Sequence, residues 1–163
     1  MIYNLKYDKK SLKGKIKLSG SKSESNRALI INHLSKSTHP IQNLSDSDDT
    51  KTLENLLSKV DTETEFNVGH AGTCMRFLTS LFAVTPGERI LKGSNRMHER
   101  PVFELVNALR YLGADIEYLN EEGFPPLRIR GKKLESKSIS IKANVSSQYI
   151  PSLMMIAPSL PKE

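Results

Sequence analysis

Short alternating stretches and longer stretches of helical spacing take turns along the chain. "KIKL" (Lys15–Leu18) alternates charged and apolar positions and predicts a strand. "SESNRALIINHLS" then carries Leu29, Ile30, His33 and Leu34 at helical spacing. "IQNLS" predicts a second strand. "DSDDTKTLENLLSKV" predicts a second helix, with acids in its first turn and Leu53, Leu56, Leu57 and Val60 on one face. "EFNV" reads as a strand, "AGTCMRFLTSLFAVT" as a helix stopped by Pro86-Gly87, and "ERILKG" as a strand. A fourth helix is expected from Pro101, a favoured first position for proline, through Val106, Leu109 and Leu112 to Gly113, a natural residue just past a helix end. "DIEYL" and "LRIRG" flank the turn "NEEGFPP" as a hairpin-like pair, and "SISIK" predicts a further strand. The fifth helix is expected to start near Ser146 or Ser147 and to carry Ile150, Leu153, Met154 and Ile156.

The order, roughly βαβαβ followed by αβαβββα, predicts an α/β fold of layered helices and sheets, and looks like a unit begun a second time. Residue identity between the halves is too low to establish a repeat. The last segment, "MMIAPSLPKE", follows an apolar helix with no closing strand, the expectation for a chain cut from a larger fold.

Composition narrows the classes. At 163 residues and 37% apolar, the chain is long enough for one core. The net charge of +6 raises a nucleic-acid partner. Its distribution argues against one: the lysines are scattered, the longest basic runs are pairs such as Lys9-Lys10 and Lys132-Lys133, and no aromatic RNA-binding motif accompanies them. Small anionic ligands fit better. No apolar run reaches the ~18 residues of a membrane span, and the first residues lack a signal-peptide pattern. The single Cys74 allows no internal disulfide and fits a reducing, cytoplasmic location.

The candidate chemistry sits at helix starts. Ser21 and Glu24 have the spacing of a capping box, Lys22 lies in the turn feeding the helix, and Ser23 and Arg27 share a helix face. Two cations at the positive end of a helix dipole are unfavourable unless an anion joins them. Taken alone, the stretch reads as well as a capped helix with solvated cations. The phosphate-loop spacing is absent. In "NVGHAGTCMR", Gly69 and Gly72 bracket His70 and Ala71, so backbone N–H groups can approach an anion, or the stretch is simply a tight strand-to-helix turn. "NVSSQY" offers Ser146, Ser147 and Gln148, as ligand groups or as helix caps. Arg96 and Arg100 flank Met97-His98-Glu99, suited to phosphate or carboxylate, with a salt bridge to Glu99 as the alternative. Each signal is weak; four anion-suited sites at or beside helix starts argue together for a pocket that takes a highly negative small molecule. Asp46, Asp48 and Asp49 resemble a metal loop but sit where a helix start wants acids and lack the calcium-loop Gly and Glu. His33, His39, His70 and His98 show no zinc spacing with Cys74, and no Ser-His-Asp set can be assigned. These spacings give no reason to expect a metal.

At these same stretches the chain resembles the 5-enolpyruvylshikimate-3-phosphate synthase family. "SGSKSESNRAL" is similar to the family's lysine-bearing first motif, and "GHAGTCMRFL" to its Asn-Ala-Gly-Thr-x-x-Arg motif. "RMHERPVFELVNALRYLGADIEY" resembles its Arg-Pro helix, "PPLRIRG" the following strand, and "SSQYIPSLMMIAP" its Ser-Ser-Gln helix. "SDSDDT" also resembles a family segment. The resemblance implies transfer of the enolpyruvyl group of phosphoenolpyruvate to the 5-hydroxyl of shikimate 3-phosphate, releasing phosphate through a tetrahedral intermediate, without metal or organic cofactor. It implies Lys22 between the two substrates, Ser23 and Arg27 at the shikimate carboxylate side, and Ser146 and Ser147 at the 3-phosphate. It implies Gln148 nearby and reaching toward phosphoenolpyruvate, with Gly72 (through its backbone) and Arg100 at the phosphoenolpyruvate phosphate. Two positions depart from the family pattern: His70 stands where Asn is usual and Phe77 where Pro is usual.

The resemblance also implies a fold of repeated βαβαββ units, three per domain in two domains, with the active site between them. This chain then holds an N-terminal strand at residues 1–13 that packs near the second domain, and about two units of an incomplete first domain at residues 14–163, the second domain being absent. The acid and base groups are expected in the missing half, so no catalytic residue is assigned here and the chain alone is expected to be inactive. The full-length parent is expected to be a monomer, and the fragment to self-associate through uncovered apolar surface. An independent, non-catalytic phosphate-binding module is the different-class alternative. A nearer rival, the sister transferase acting on a UDP-sugar, is disfavoured by the Lys-Ser-x-Ser-Asn-Arg and Ser-Ser-Gln motifs and by Cys74 lying inside a helix rather than in a catalytic loop.

Overall fold

The helix buried along almost its whole length lies at the centre of the molecule. In the computed structural model, which describes residues 3, 4, 6, 8, 11, 13–141 and 146–161, α3 (Gly72–Val84) is buried from Gly72 through Ala83. A mixed sheet covers one side of it. The other sides meet α1 (Lys22–Leu34), α2 (Asp48–Leu57), α5 (Phe103–Tyr111) and α6 (Tyr149–Ile156). The sheet contains β1 (Glu65–Asn67), β2 (Gly87–Lys92), β3 (Asp115–Tyr118) and β4 (Leu127–Gly131), in the order β1-β2-β4-β3. β1 and β2 are parallel with Phe66 opposite Leu91, and α3 is the crossover that parallel neighbours need. β4 runs antiparallel to both β2 and β3, setting Leu91 opposite Leu127 and Ile116 opposite Ile129.

Period-2 alternation divides the two faces of this sheet. Phe66, Leu91, Ile116, Leu127 and Ile129 are buried against the core, where the Phe66 and Phe82 rings lie 4.7 Å apart. The outer face carries a charge ladder in which Arg130 Nε meets Glu88 at 2.7 Å and Arg128 Nη1 meets Glu117 at 2.9 Å.

Several sequence expectations change. Lys15–Leu18 forms no strand, and Ile16 and Leu18 stay 84% and 81% exposed. Alternation chooses a face for a strand but supplies no partner, and no described strand lies alongside. Residues 41–45 also form no strand: the Ser45 N–H goes to the Ser25 hydroxyl at 2.9 Å, while Ile41 and Leu44 lean on the core. Of "SISIK", residues 138–141 are described without strand structure, though Ile139 and Ile141 pack against the core; Lys142 lies outside the described residues. The expected strand at residues 1–13 lies largely outside the described residues. The fourth helix begins at Phe103 rather than Pro101: the backbone of Val102, with φ −129° and ψ 5°, is not helical, and its N–H goes to the Gly123 carbonyl at 2.9 Å. One turn, α4 (Asn95–His98), precedes it, capped by Ser94. Gly113 follows α5 as expected, with φ +94°. The fifth helix begins at Tyr149, with Ser146 and Ser147 in the turn before it.

Contacts along α1, α2, α3 and α6 run start to start and end to end. Thr50 near the start of α2 donates to Asn26 of α1 at 2.8 Å, and Gln148 at the start of α6 donates to Thr73 of α3 at 2.8 Å. Farther along, the Ser80 and Ser152 hydroxyls are 2.6 Å apart. At the far end, Arg89 donates to the Thr85, Pro86 and Val60 carbonyls at 3.0, 3.1 and 3.1 Å. Four helix N-termini therefore share one end of the molecule, and a guanidinium answers carbonyls at the other.

Candidate functional site

The shared N-terminal end is organised around the first turn of α3. No side chain caps this helix, which leaves its first-turn N–H groups without a side-chain acceptor. Gly72 opens the helix, and the Arg100 guanidinium lies directly over it: an added Cβ would come 2.4 Å from Nη1. Thr73, next in the chain, accepts a hydrogen bond from Gln148. Gln148 is itself held by a turn in which its N–H donates to Ser146 Oγ at 3.2 Å. On the other flank, Cys74 donates to the Asp49 carbonyl at 3.2 Å, and the Asp49 carboxylate pairs with Lys22 at 3.6 Å. Lys22, Gly72, Arg100, Ser146 and Gln148, expected from sequence to share a site, are thus linked through contacts around one helix start.

The other candidates are placed less tightly. Ser23 follows Lys22 in the exposed first turn of α1, which Ser21 caps by accepting from the Glu24 N–H at 3.4 Å. Arg27 lies one turn on and is exposed. Ser147 is exposed beside Ser146. Asp48 and Asp49 occupy the first turn of α2, the helix-start role expected of them.

The arginines divide by environment. Arg110, Arg128 and Arg130 pair with carboxylates on the surface, and Arg76 and Arg89 bond to carbonyls inside. Among the described residues, Arg27, Arg96 and Arg100 have neither a carboxylate partner nor a side-chain hydrogen bond, so the expected alternative of an Arg–Glu99 salt bridge does not form. Arg96 and Arg100, with His70 and Met97, line a cavity of about 420 Å³. Guanidinium groups without an ion pair, beside an uncapped helix start, are suited to hold phosphate or carboxylate.

Beneath this surface lies the arginine that ends the Asn-Ala-Gly-Thr-x-x-Arg motif, to which sequence reasoning gave no role in the site. Arg76 is 3% exposed, one turn after Gly72, and donates from Nη1 to the Gly72 carbonyl at 3.0 Å and from Nη2 to the Pro101 carbonyl at 3.2 Å. Tyr149 donates to the same Pro101 carbonyl at 2.8 Å. One guanidinium thereby ties the start of α3 to the segment carrying Arg100, and Tyr149 ties in the start of α6. Burial first, and then the nearby Arg100 cation, depress the Arg76 pKa below the ordinary arginine value. The signal was its i,i+4 spacing from Gly72 in "GTCMR". Cys74, by contrast, is pushed up to about 12 by burial and the Asp49 charge, which keeps the thiol protonated and inert.

Comparison with known proteins agrees with these motifs. The family model described as EPSP synthase (3-phosphoshikimate 1-carboxyvinyltransferase) matches residues 6–67 and 55–163. The chain belongs to the EPSP synthase family. Among its relatives in that family, the 3-phosphoshikimate 1-carboxyvinyltransferase of Bacteroides fragilis (strain YCH46) is 51% identical over 149 residues, covering 91% of this chain and 36% of that protein. The protein of the same name from Marinomonas sp. (strain MWYL1) is 40% identical over 168 residues, covering 89% and 40%. The chain thus spans well under half the length of these relatives. The fold is shared with the solved EPSP synthase from Acinetobacter baumannii, with TM-score 0.73 and 18% identity over 87% of this chain and 38% of that one. Among the described residues, no helix is long and apolar enough to cross a membrane.

Proposed function

We propose that this chain supplies the shikimate 3-phosphate and phosphoenolpyruvate contacts of one half of an enolpyruvyl transferase, and that the acid and base groups come from a part of the enzyme outside it. The observation that carries the reading is the uncapped start of α3, with the Arg100 guanidinium held against Gly72 and no carboxylate paired to it. In this reading the phosphoenolpyruvate phosphate sits on the Gly72 backbone and Arg100. Ser146 and Ser147 take the 3-phosphate of the shikimate, Ser23 and Arg27 its carboxylate side, and Gln148 and Lys22 lie between the substrates.

The chemistry needs such a site. Addition joins the 5-hydroxyl oxygen to C2 of phosphoenolpyruvate as the hydroxyl proton passes to a base and C3 takes a proton from an acid. Elimination removes a proton from C3 to a base, re-forms the C2–C3 double bond, breaks the bond from C2 to the phosphate oxygen and releases phosphate. Both substrates are polyanions, so their encounter is repulsive in water. Cations and N–H dipoles fixed in advance offset that repulsion, and holding the two together removes much of the entropic barrier. Lys22 is already drawn toward the cluster by Asp49, and a bound anion would compete for it.

Calorimetric titration of the chain with shikimate 3-phosphate tests the reading. Saturable heat is expected, with affinity reduced about tenfold or more in Arg27→Ala, the loss typical of a charged hydrogen-bonded contact. A folded chain that gives no heat, or an Arg27→Ala variant that binds as tightly as the parent, would overturn the assignment.

A further inference from the structure

We infer that Asp49 is a positioning residue for the transfer: its carboxylate holds the Lys22 ammonium beside the start of α3, so that Lys22 meets an incoming substrate already in place. The inference rests on the reading of Lys22 as a group lying between the substrates, and adds a residue that favours binding only through it.

Asp49 lies in the first turn of α2, where the helix dipole favours a carboxylate. The backbone there is held from two sides. The Asp49 carbonyl accepts from Cys74 Sγ at 3.2 Å, in the first turn of α3. The next residue, Thr50, donates to Asn26 Oδ1 at 2.8 Å, on the helix that carries Lys22, and both of these residues are buried. Asp49 is therefore fixed relative to α1 and to α3 at once. The Cys74 thiol registers both ends of the ion pair: burial raises its pKa most, the Asp49 charge raises it further, and Lys22 lowers it.

The two partners differ in freedom. The Asp49 side chain is 26% exposed and the Lys22 side chain 50%, with Oδ2 and Nζ 3.6 Å apart, so the carboxylate is the fixed member and the ammonium the movable one. Asp48 lines the same cavity of about 550 Å³, yet among the described residues it pairs with no cation, and no other carboxylate pairs with Lys22. An ion pair this open to water contributes little to folding, so stability does not account for it. A lysine stem is long and flexible, and ordering it at the moment of binding costs affinity. Asp49 meets that cost in advance. Without Lys22, its charge would do nothing but repel an anionic substrate.

That opposition gives the test its form, a double-mutant cycle read by calorimetric titration of the whole chain with shikimate 3-phosphate. With Lys22 present, Asp49→Ala is expected to weaken binding about three- to tenfold, the scale of ordering one long side chain. In a Lys22→Met background the same Asp49→Ala change is expected to strengthen binding, because only repulsion is removed. Asp49→Asn, which keeps an acceptor oxygen but no charge, is the second variant and is expected to show the same reversal of sign in smaller steps. Unchanged or tighter binding by Asp49→Ala with Lys22 present would overturn the inference and make the carboxylate a bystander or a competitor. Equal losses in both backgrounds would also overturn it, since Asp49 would then act on the fold of the site and not through Lys22. A folded wild-type chain that binds no shikimate 3-phosphate would remove the half-site reading and this inference with it.

Discussion

An added Cβ at Gly72 would come 2.4 Å from Nη1 of Arg100, so this position joins backbone and guanidinium in one contact. The obstacle is the far end of a flexible side chain, so Gly72→Ala is expected to fold with nearly unchanged melting temperature. Arg100 must then swing away, and phosphoenolpyruvate affinity is expected to fall about tenfold or more by calorimetry; unchanged affinity would contradict the contact's role. Arg76 acts one layer below. Arg76→Lys keeps a charge but cannot span the Gly72 and Pro101 carbonyls with a planar fork. Loss of those charged hydrogen bonds is expected to destabilise the chain by about 1.5–3 kcal/mol in urea unfolding. Cys74, held up near 12 by burial, is expected to resist iodoacetamide at pH 8 in the folded chain and to react once urea unfolds it. Because its folded-state pKa is raised, the neutral thiol also favours the fold up to the ordinary value of 9.0, and that contribution drains away as the pH climbs from there toward 12. Residue by residue, Lys22, Gly72, Arg100 and Gln148 were legible because their types and their places at helix starts point to anion chemistry. Arg76 was legible only as the end of a family motif, and its bracing role was not, because nothing in sequence tells a buried arginine bonded to carbonyls from an exposed helix cation.

At the scale of elements, α1, α2, α3 and α6 sum their dipoles toward one end, and the opposite end needs compensation. Arg89 provides it, 6% exposed, donating to carbonyls that follow α3 and α2. Arg89→Ala strands those carbonyls and is expected to cost about 2–3 kcal/mol by denaturant unfolding. A loss below about 0.5 kcal/mol would mean that water replaces the guanidinium without penalty. Helices were easier to read than strands for a physical reason. The 3.6-residue pattern of Leu53, Leu56 and Val60 is satisfied by whatever core lies beside it, so α2 follows directly from sequence. A strand needs a neighbour in register. Lys15–Leu18 alternates as well as β4 does, yet β4 lies between β2 and β3 while Lys15–Leu18 pairs with nothing described. The hairpin of β3 and β4 was legible because its turn is local, whereas the β1–β2 pairing depends on α3 folding across it.

At the scale of the whole molecule, the family and the fold were readable from ordered motifs spread between about Lys15 and Pro158, and the family model covers that same region. That the helix starts and Arg100 share one site was also expected from sequence; the contacts that join them, through Asp49, Thr73 and Arg76, were not, since they depend on how α3 is buried among its neighbours. That convergence is the central claim, and amide chemical-shift mapping of the isotopically labelled chain with phosphoenolpyruvate tests it most directly. The account predicts saturable shifts concentrated at Gly72, Thr73 and Arg100, smaller ones at Lys22 and Gln148, and none around Arg89. Shifts clustered at the Arg89 end, or an unchanged spectrum from a folded chain, would contradict it.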